Sequence, residues 1–122
     1  MREIKFRAWD ASTSEMHYPE DRVHDTIKTA SANILKHYDT VMQWTGLHDR
    51  NGKEIYEGDV LAQSGRTNYR FGDMGVVEYE TDYAGFIVKG KYHRNQHYAL
   101  LSCDVATDCE VIGNVHQNPE LV

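Results

Sequence analysis

The chain has 122 residues, 40% of them hydrophobic and 11% aromatic, and a formal net charge of −6 with its seven histidines neutral. A chain of this size buries a core without a disulfide or metal staple, and its composition is not that of a disordered segment. The acidic balance disfavours duplex nucleic acid, whose binders draw most of their affinity from a basic surplus, and no apolar run is long enough for a membrane-spanning helix.

Eight tyrosines and nine glycines against two prolines lean towards β structure. Met1 to Lys5 leads straight into a strand pattern with no signal-peptide features. Ile4 to Trp9 alternates, which predicts a strand with Ile4, Phe6 and Ala8 inward, Lys5 and Arg7 outward, and Trp9 on the outer face. Asp10 to Glu15 is small and polar, a turn, and Met16 to Tyr18 returns to close a hairpin. Pro19 to Thr40 reads two ways. Val23, Ile27, Ala30, Ile34 and Tyr38 recur at helical spacing, yet the threonines and Ser31 weaken a helix, and extended segments are preferred.

Val41 to Trp44 is extended. Asp49-Arg50-Asn51-Gly52 is a turn, with Asn-Gly supplying the positive φ that tight hairpins require. Gly46, Gly52 and Gly58 fit neither dinucleotide-binding nor P-loop spacing, so turn geometry is the reading for all three. A strand follows at Val60 to Gln63, then a polar loop at Ser64 to Asp73. Gly75 to Tyr79 and Phe86 to Val88 are strands around a turn at Asp82 to Gly85. Lys89 to Gln96 is a basic loop, Tyr98 to Leu101 a strand, Ser102 to Asp108 a loop, and Cys109 to Val115 the last strand. Short strands at near-regular spacing from Glu57 to Val115 predict a small barrel, and five of them suggest an SH3-like one.

Each chemical constellation is weighed against an ordinary role. Asp49, Glu54, Glu57 and Asp59 lack the alternating ligands of a calcium loop, and Asp59 reads as a turn cap. His93 and His97 stand four apart, but on a loop, and Cys103 and Cys109 are not at zinc-knuckle spacing. Both cysteines read as structural free thiols of a cytoplasmic protein rather than as nucleophiles or a disulfide. No metal, cofactor or catalytic residue is assigned. The basic loops at 64–73 and 89–96 do offer a candidate nucleic-acid face. It would comprise Arg66, Arg70, Lys89, Lys91, Tyr92 and Arg94, with Tyr69 or Tyr92 stacking on bases.

Three blocks carry a resemblance. Met-Arg-Glu-Ile-Lys-Phe-Arg-Ala-Trp-Asp (1–10), Met42-Gln-Trp-Thr-Gly-Leu-His-Asp-Arg-Asn-Gly-Lys-Glu-Ile-Tyr-Glu-Gly-Asp-Val60, and Glu110-Val-Ile-Gly-Asn-Val-His-Gln-Asn-Pro-Glu-Leu121 are similar, in order, to YopX-like proteins. Positions 17–40 and 64–108 match only loosely. The resemblance implies a small phage- or prophage-encoded protein with a mainly β fold related to SH3-type barrels. It implies no activity and transfers no catalytic residue.

The expectation is therefore a mainly β chain with an SH3-like small barrel and an N-terminal β-hairpin extension. It would be a single YopX-like domain, with the extension at 1–40, the barrel at 41–115 and a tail at 116–122. The expected core is Ile4, Phe6, Ile55, Val60, Leu61, Val76, Val77, Phe86, Ile87, Leu100, Val111 and Ile112. The expected function is that of a non-enzymatic accessory protein working in the bacterial cytoplasm through protein contacts. It would act as a homo-oligomer or on an unidentified phage or host protein, with Trp9 and Tyr83 suited to an interface. Nucleic acid is the alternative partner, disfavoured by the net charge.

Overall fold

A computed structural model describes residues 3–18, 40–63, 69, 71–90 and 98–121. They are mainly β, in two antiparallel sheets with little helix. The chain divides into two compact units, Met1–Trp44 and Thr45–Val122.

In the first unit, Phe6–Asp10 (β1) pairs with Glu15–His17 (β2) on one side. On its other side it pairs with the leading half of Thr40–His48 (β3). The predicted hairpin is present. Its turn is held by Asp10, whose carboxylate accepts from the Ser12 N–H at 2.9 Å and the Ser12 hydroxyl at 2.6 Å. The hydroxyl contact first, then the backbone contact and Thr13, keep the Asp10 carboxyl below its usual range.

The inward set needs correcting. Ala8 is buried, but so is Arg7, at 2% exposure, whereas Ile4 is 46% exposed. β1 is the middle strand of three, and Arg7 stands opposite Met42, itself buried. Both faces of β1 are therefore enclosed at this point, and alternation of charge does not mark a solvent side. Ile4 precedes the paired part of the strand. The helix-or-strand question over 19–39 lies outside the described residues.

The second unit begins with the rest of β3, which forms a hairpin with Glu54–Tyr56 (β4), a strand not anticipated from sequence. Five strands follow: Asp59–Gln63 (β5), Met74–Glu80 (β6), Gly85–Gly90 (β7), Tyr98–Leu100 (β8) and Cys109–Asn114 (β9). Their order is β8-β7-β6-β5-β9, a meander whose last strand returns to pair with the first. Lys89 and Gly90 thus belong to β7, not to a loop.

Residues 102–108 also differ from expectation. Cys103–Asp108 is a short helix (α1), the one α-helix among the described residues. Ser102 caps it by accepting from the Val105 N–H at 3.3 Å. Six residues are too few to show a helical period, so the sequence pattern reads as loop. No helix among the described residues is long and apolar enough to cross a membrane.

The core joins Ile55, Leu61, Phe71, Val77, Val88, Val105, Ala106 and Cys109, with Leu47, Tyr69, Phe86, Ala99, Leu101 and Val111 against it. Of the expected members, Ile4, Phe6, Val60, Val76, Ile87, Leu100 and Ile112 are outside it, and two of these on the larger sheet are exposed. Leu100 is 55% exposed and Ile112 is 38% exposed. Val111-Ile112 is an apolar doublet on one strand, and strand alternation allows only one of the two to face inward.

The glycine-rich segment is a structural assembly. Gly46, Gly52 and Gly58 all hold positive φ, near +87°, +82° and +85°. The β3–β4 connection contains a single positive φ, at Gly52, rather than the paired values of a two-residue mirror-image turn. Asp49 organises it. Its Oδ1 accepts from the backbone N–H of Asn51 and of Lys53, both at 2.9 Å, and its Oδ2 accepts from the Val111 N–H at 2.9 Å. Asp59 Oδ2 accepts from the Tyr56 N–H at 2.7 Å, the turn cap expected of it. The Gly58 N–H donates to the Val77 carbonyl, and its own carbonyl accepts from Val115, tying this turn to β6 and to the chain after β9.

Candidate protein-contact cleft

Alternation on three adjacent strands builds the site. On β6, Gly75 and Val77 turn towards the core, so Glu78 and Glu80 take the opposite, outer face. Pairing places Ile87 across from Glu78 and Leu100, and Lys89 across from Tyr98. The outer face of β6–β7–β8 therefore carries Glu78, Glu80, Ile87, Lys89, Tyr98 and Leu100.

The β6–β7 connection completes it. A 3-10 turn at Thr81–Tyr83 is capped by Glu80, which accepts from the Asp82 N–H at 3.3 Å, and Ala84 closes it in the left-handed region at φ 49°. This turn brings Tyr83 over the sheet face to Tyr98. The two rings lie 5.6 Å apart at 42°, and their hydroxyls are hydrogen-bonded.

Together, Glu78, Glu80, Asp82, Tyr83, Ile87, Lys89 and Tyr98 line a cleft of about 340 Å³. Ile87 is buried although it lies on the outer face, and it forms the apolar floor. Among the described residues, no ion pair joins Lys89 to Glu78, Glu80 or Asp82. The Tyr98 hydroxyl first, then partial desolvation and the charges of Asp82 and Glu80, hold the Tyr83 hydroxyl above its usual value. Tyr83 therefore stays neutral across the physiological range.

Of the residues singled out from sequence, Tyr83 and Lys89 meet in this cleft. Arg66, Arg70, Lys91, Tyr92, Arg94, His93 and His97 lie outside the described residues. Tyr69 is already engaged. Its ring stacks on Phe71 at 6.1 Å and its hydroxyl donates to Asp108 Oδ2 at 2.5 Å. That hydrogen bond, with burial and the Asp108 charge, pushes the Tyr69 hydroxyl up to about 12. Asp49 and Asp59 spend their carboxylates on backbone N–H groups, and no three His, Cys, Asp or Glu side chains among the described residues are grouped to hold a metal ion. Both cysteines are free, Cys103 exposed and Cys109 buried. Burial first, then Asp108, pushes the Cys109 thiol up to about 11, which suits a packing role rather than a nucleophile.

Glu78, Glu80, Asp82 and Tyr98 were not singled out from sequence, and Ile87 was expected only as a core residue. The alternation Val-Glu-Tyr-Glu does put the two glutamates on one face. The register that sets Ile87 and Tyr98 beside them is a pairing property that no single strand displays.

The molecule is thus a mainly β protein of two antiparallel sheets, with an acidic, tyrosine-rimmed cleft on the outer face of the larger one. The family model described as YopX protein matches residues 5–122, and the chain belongs to the YopX family. It is also similar to a solved structure, protein EF1440 from Enterococcus faecalis. The two are 26% identical, the match covers 99% of each chain, and the TM-score is 0.62. No curated protein matches.

Proposed function

We propose that this protein is a non-enzymatic accessory protein of phage or prophage origin, acting in the bacterial cytoplasm by binding another protein through the outer face of β6–β7–β8. The observation carrying this reading is the cleft. Two tyrosines project over a buried isoleucine on a sheet face where Leu100 is also exposed. Amphipathic aromatic rings and an exposed aliphatic side chain on a rigid sheet are what contact surfaces favour. The phage origin rests on the family, and the cytoplasmic setting on two free thiols.

The finer fold reading belongs here too. The order β8-β7-β6-β5-β9, with a short helix in the chain between β8 and β9, supports an SH3-type barrel for the second unit.

The test is affinity capture from the bacterium that produces the protein, comparing the parent chain with the Tyr83→Ala/Tyr98→Ala double variant. A partner retained by the parent and lost by the variant supports the reading. A partner retained equally moves the surface elsewhere, and recovery of none above background removes the reading.

Self-association is the second reading, favoured by exposed Leu100 on the three-residue edge strand β8. Light scattering during size-exclusion chromatography decides it. A multiple of the 14.1 kDa chain mass that Leu100→Glu reduces to the monomer supports it, and a monomeric parent chain excludes it. We rank nucleic acid below both, because Lys89, the described member of the basic set, stands among three carboxylates.

A further inference from the structure

We infer that the cleft recognises a cationic side chain, arginine in preference to lysine, carried on an extended segment of the partner protein. This deepens the reading above and rests on it. Three features converge.

The first is charge. Glu78, Glu80 and Asp82 line the cleft against one ammonium, Lys89, and no ion pair among the described residues neutralises them. A cationic group entering the cleft meets carboxylates whose charge is still available, whereas a phosphate or an acidic segment meets repulsion.

The second is aromatic geometry. The Tyr83 and Tyr98 rings are tilted at 42° with centroids 5.6 Å apart, and their hydroxyls are tied together. The pair is fixed before any partner arrives, so little side-chain freedom is lost on binding. A guanidinium is planar and weakly hydrated. It can lie against a tyrosine ring while its N–H groups reach carboxylates, an arrangement that a compact, strongly hydrated ammonium reproduces poorly.

The third is size and floor. A volume of about 340 Å³ lies at the lower end of small-ligand sites, enough for one long side chain and its backbone rather than a large cofactor. Ile87 gives the methylene stem of arginine an apolar surface to cover. The neighbouring strand β8 ends the sheet among the described residues and leaves Leu100 exposed, the kind of edge to which an extended chain adds.

The test is an amide chemical-shift titration of the full chain with four probes. They are an acetylated five-residue alanine peptide bearing one central arginine, its lysine counterpart, its isosteric citrulline counterpart, and oligothymidylate. The arginine peptide should give saturable shifts at Glu78, Ile87, Lys89 and Tyr98. The lysine peptide should bind more weakly and the citrulline peptide should leave these amides unmoved. In Glu78→Gln/Glu80→Gln the arginine affinity should fall about fivefold to tenfold, the scale expected for two partly exposed charges. Glu78 is exposed, so Glu78→Gln alone keeps the fold and serves as the second variant.

Equal response to arginine and citrulline overturns cation recognition while leaving a protein-contact cleft in place. Shifts with oligothymidylate alone overturn it in favour of nucleic acid. No response to any probe overturns the cleft as a cation site. Partner capture by the parent chain, lost in the tyrosine double variant, would then still uphold the broader contact reading.

Discussion

Asp49 shows how a residue that reads as chemistry can be architecture. Burial alone would raise its carboxyl, but hydrogen bonds from the Val111, Lys53 and Asn51 N–H groups, with the Lys53 charge, bring it below the usual value. Because the folded-state pKa lies under the unfolded value of about 4, Asp49 contributes stability above that pH. The contribution is lost as pH falls through the folded value. Asp49→Asn keeps one acceptor oxygen for three donors and sets an amide NH₂ against a backbone N–H. We expect a loss of about 2–3 kcal/mol in chemical denaturation at pH 7, with the difference from the parent chain shrinking below about pH 4. An unchanged midpoint would show that the three contacts are not made. The two cysteines give a second residue-scale prediction. Ellman's reagent should titrate one thiol per native chain, Cys103, and two in denaturant, because Cys109 is buried with its thiol pushed up to about 11. Two fast thiols in the native protein would contradict the burial of Cys109. That Asp59 caps a turn could be read from Gly-Asp in the sequence. That Asp49 reaches Val111, 62 positions away, could not, because the contact exists only once β9 has docked.

At the scale of elements, strand alternation was legible and strand partnership was not. Gly75 looks like a tolerated glycine in a strand. In the sheet, a Cβ there would stand 2.6 Å from Val88 Cγ1 and 3.0 Å from both the Lys89 carbonyl oxygen and Phe71 Cδ2. Gly75→Ala should therefore cost about 1–3 kcal/mol through overpacking, seen as a fall of several degrees in the thermal midpoint. The opposite change is expected at Ala84, which holds a left-handed φ of 49° where it closes the 3-10 turn. Ala84→Gly should raise stability by up to about 1 kcal/mol, the relief of that conformation less the added freedom of the unfolded chain. A fall would mean that the turn is not left-handed there. The apolar doublets explain the errors in the expected core. Val76-Val77 and Val111-Ile112 each supply one inward residue, and only pairing register says which. In the same way, Ile87 belongs to the outer face although it is buried, and it becomes the floor of a cleft rather than part of the main core. Helix α1 was missed because one capped turn carries no period. Its Val105 and Ala106 reach the core through position, not pattern.

At the scale of the molecule, family and fold class were within reach of the sequence because the turn glycines and the Asn51-Gly52 and Gly58-Asp59 steps are local and specific. The five strands of the larger sheet could be counted from turn spacing, and their number was found as expected. The candidate site was not legible, since it is assembled from three strands and a 3-10 turn whose charges look like ordinary solvated residues one at a time. The central claim is that the outer face of β6–β7–β8 is where this YopX-family protein meets its partner. Site-specific photo-crosslinking in the cells that produce the protein tests it, with benzoylphenylalanine in place of Tyr83 and, as a control, in place of exposed Lys53. A discrete protein adduct is expected from position 83 that position 53 does not give. No adduct from position 83, or the same pattern from both positions, would contradict it.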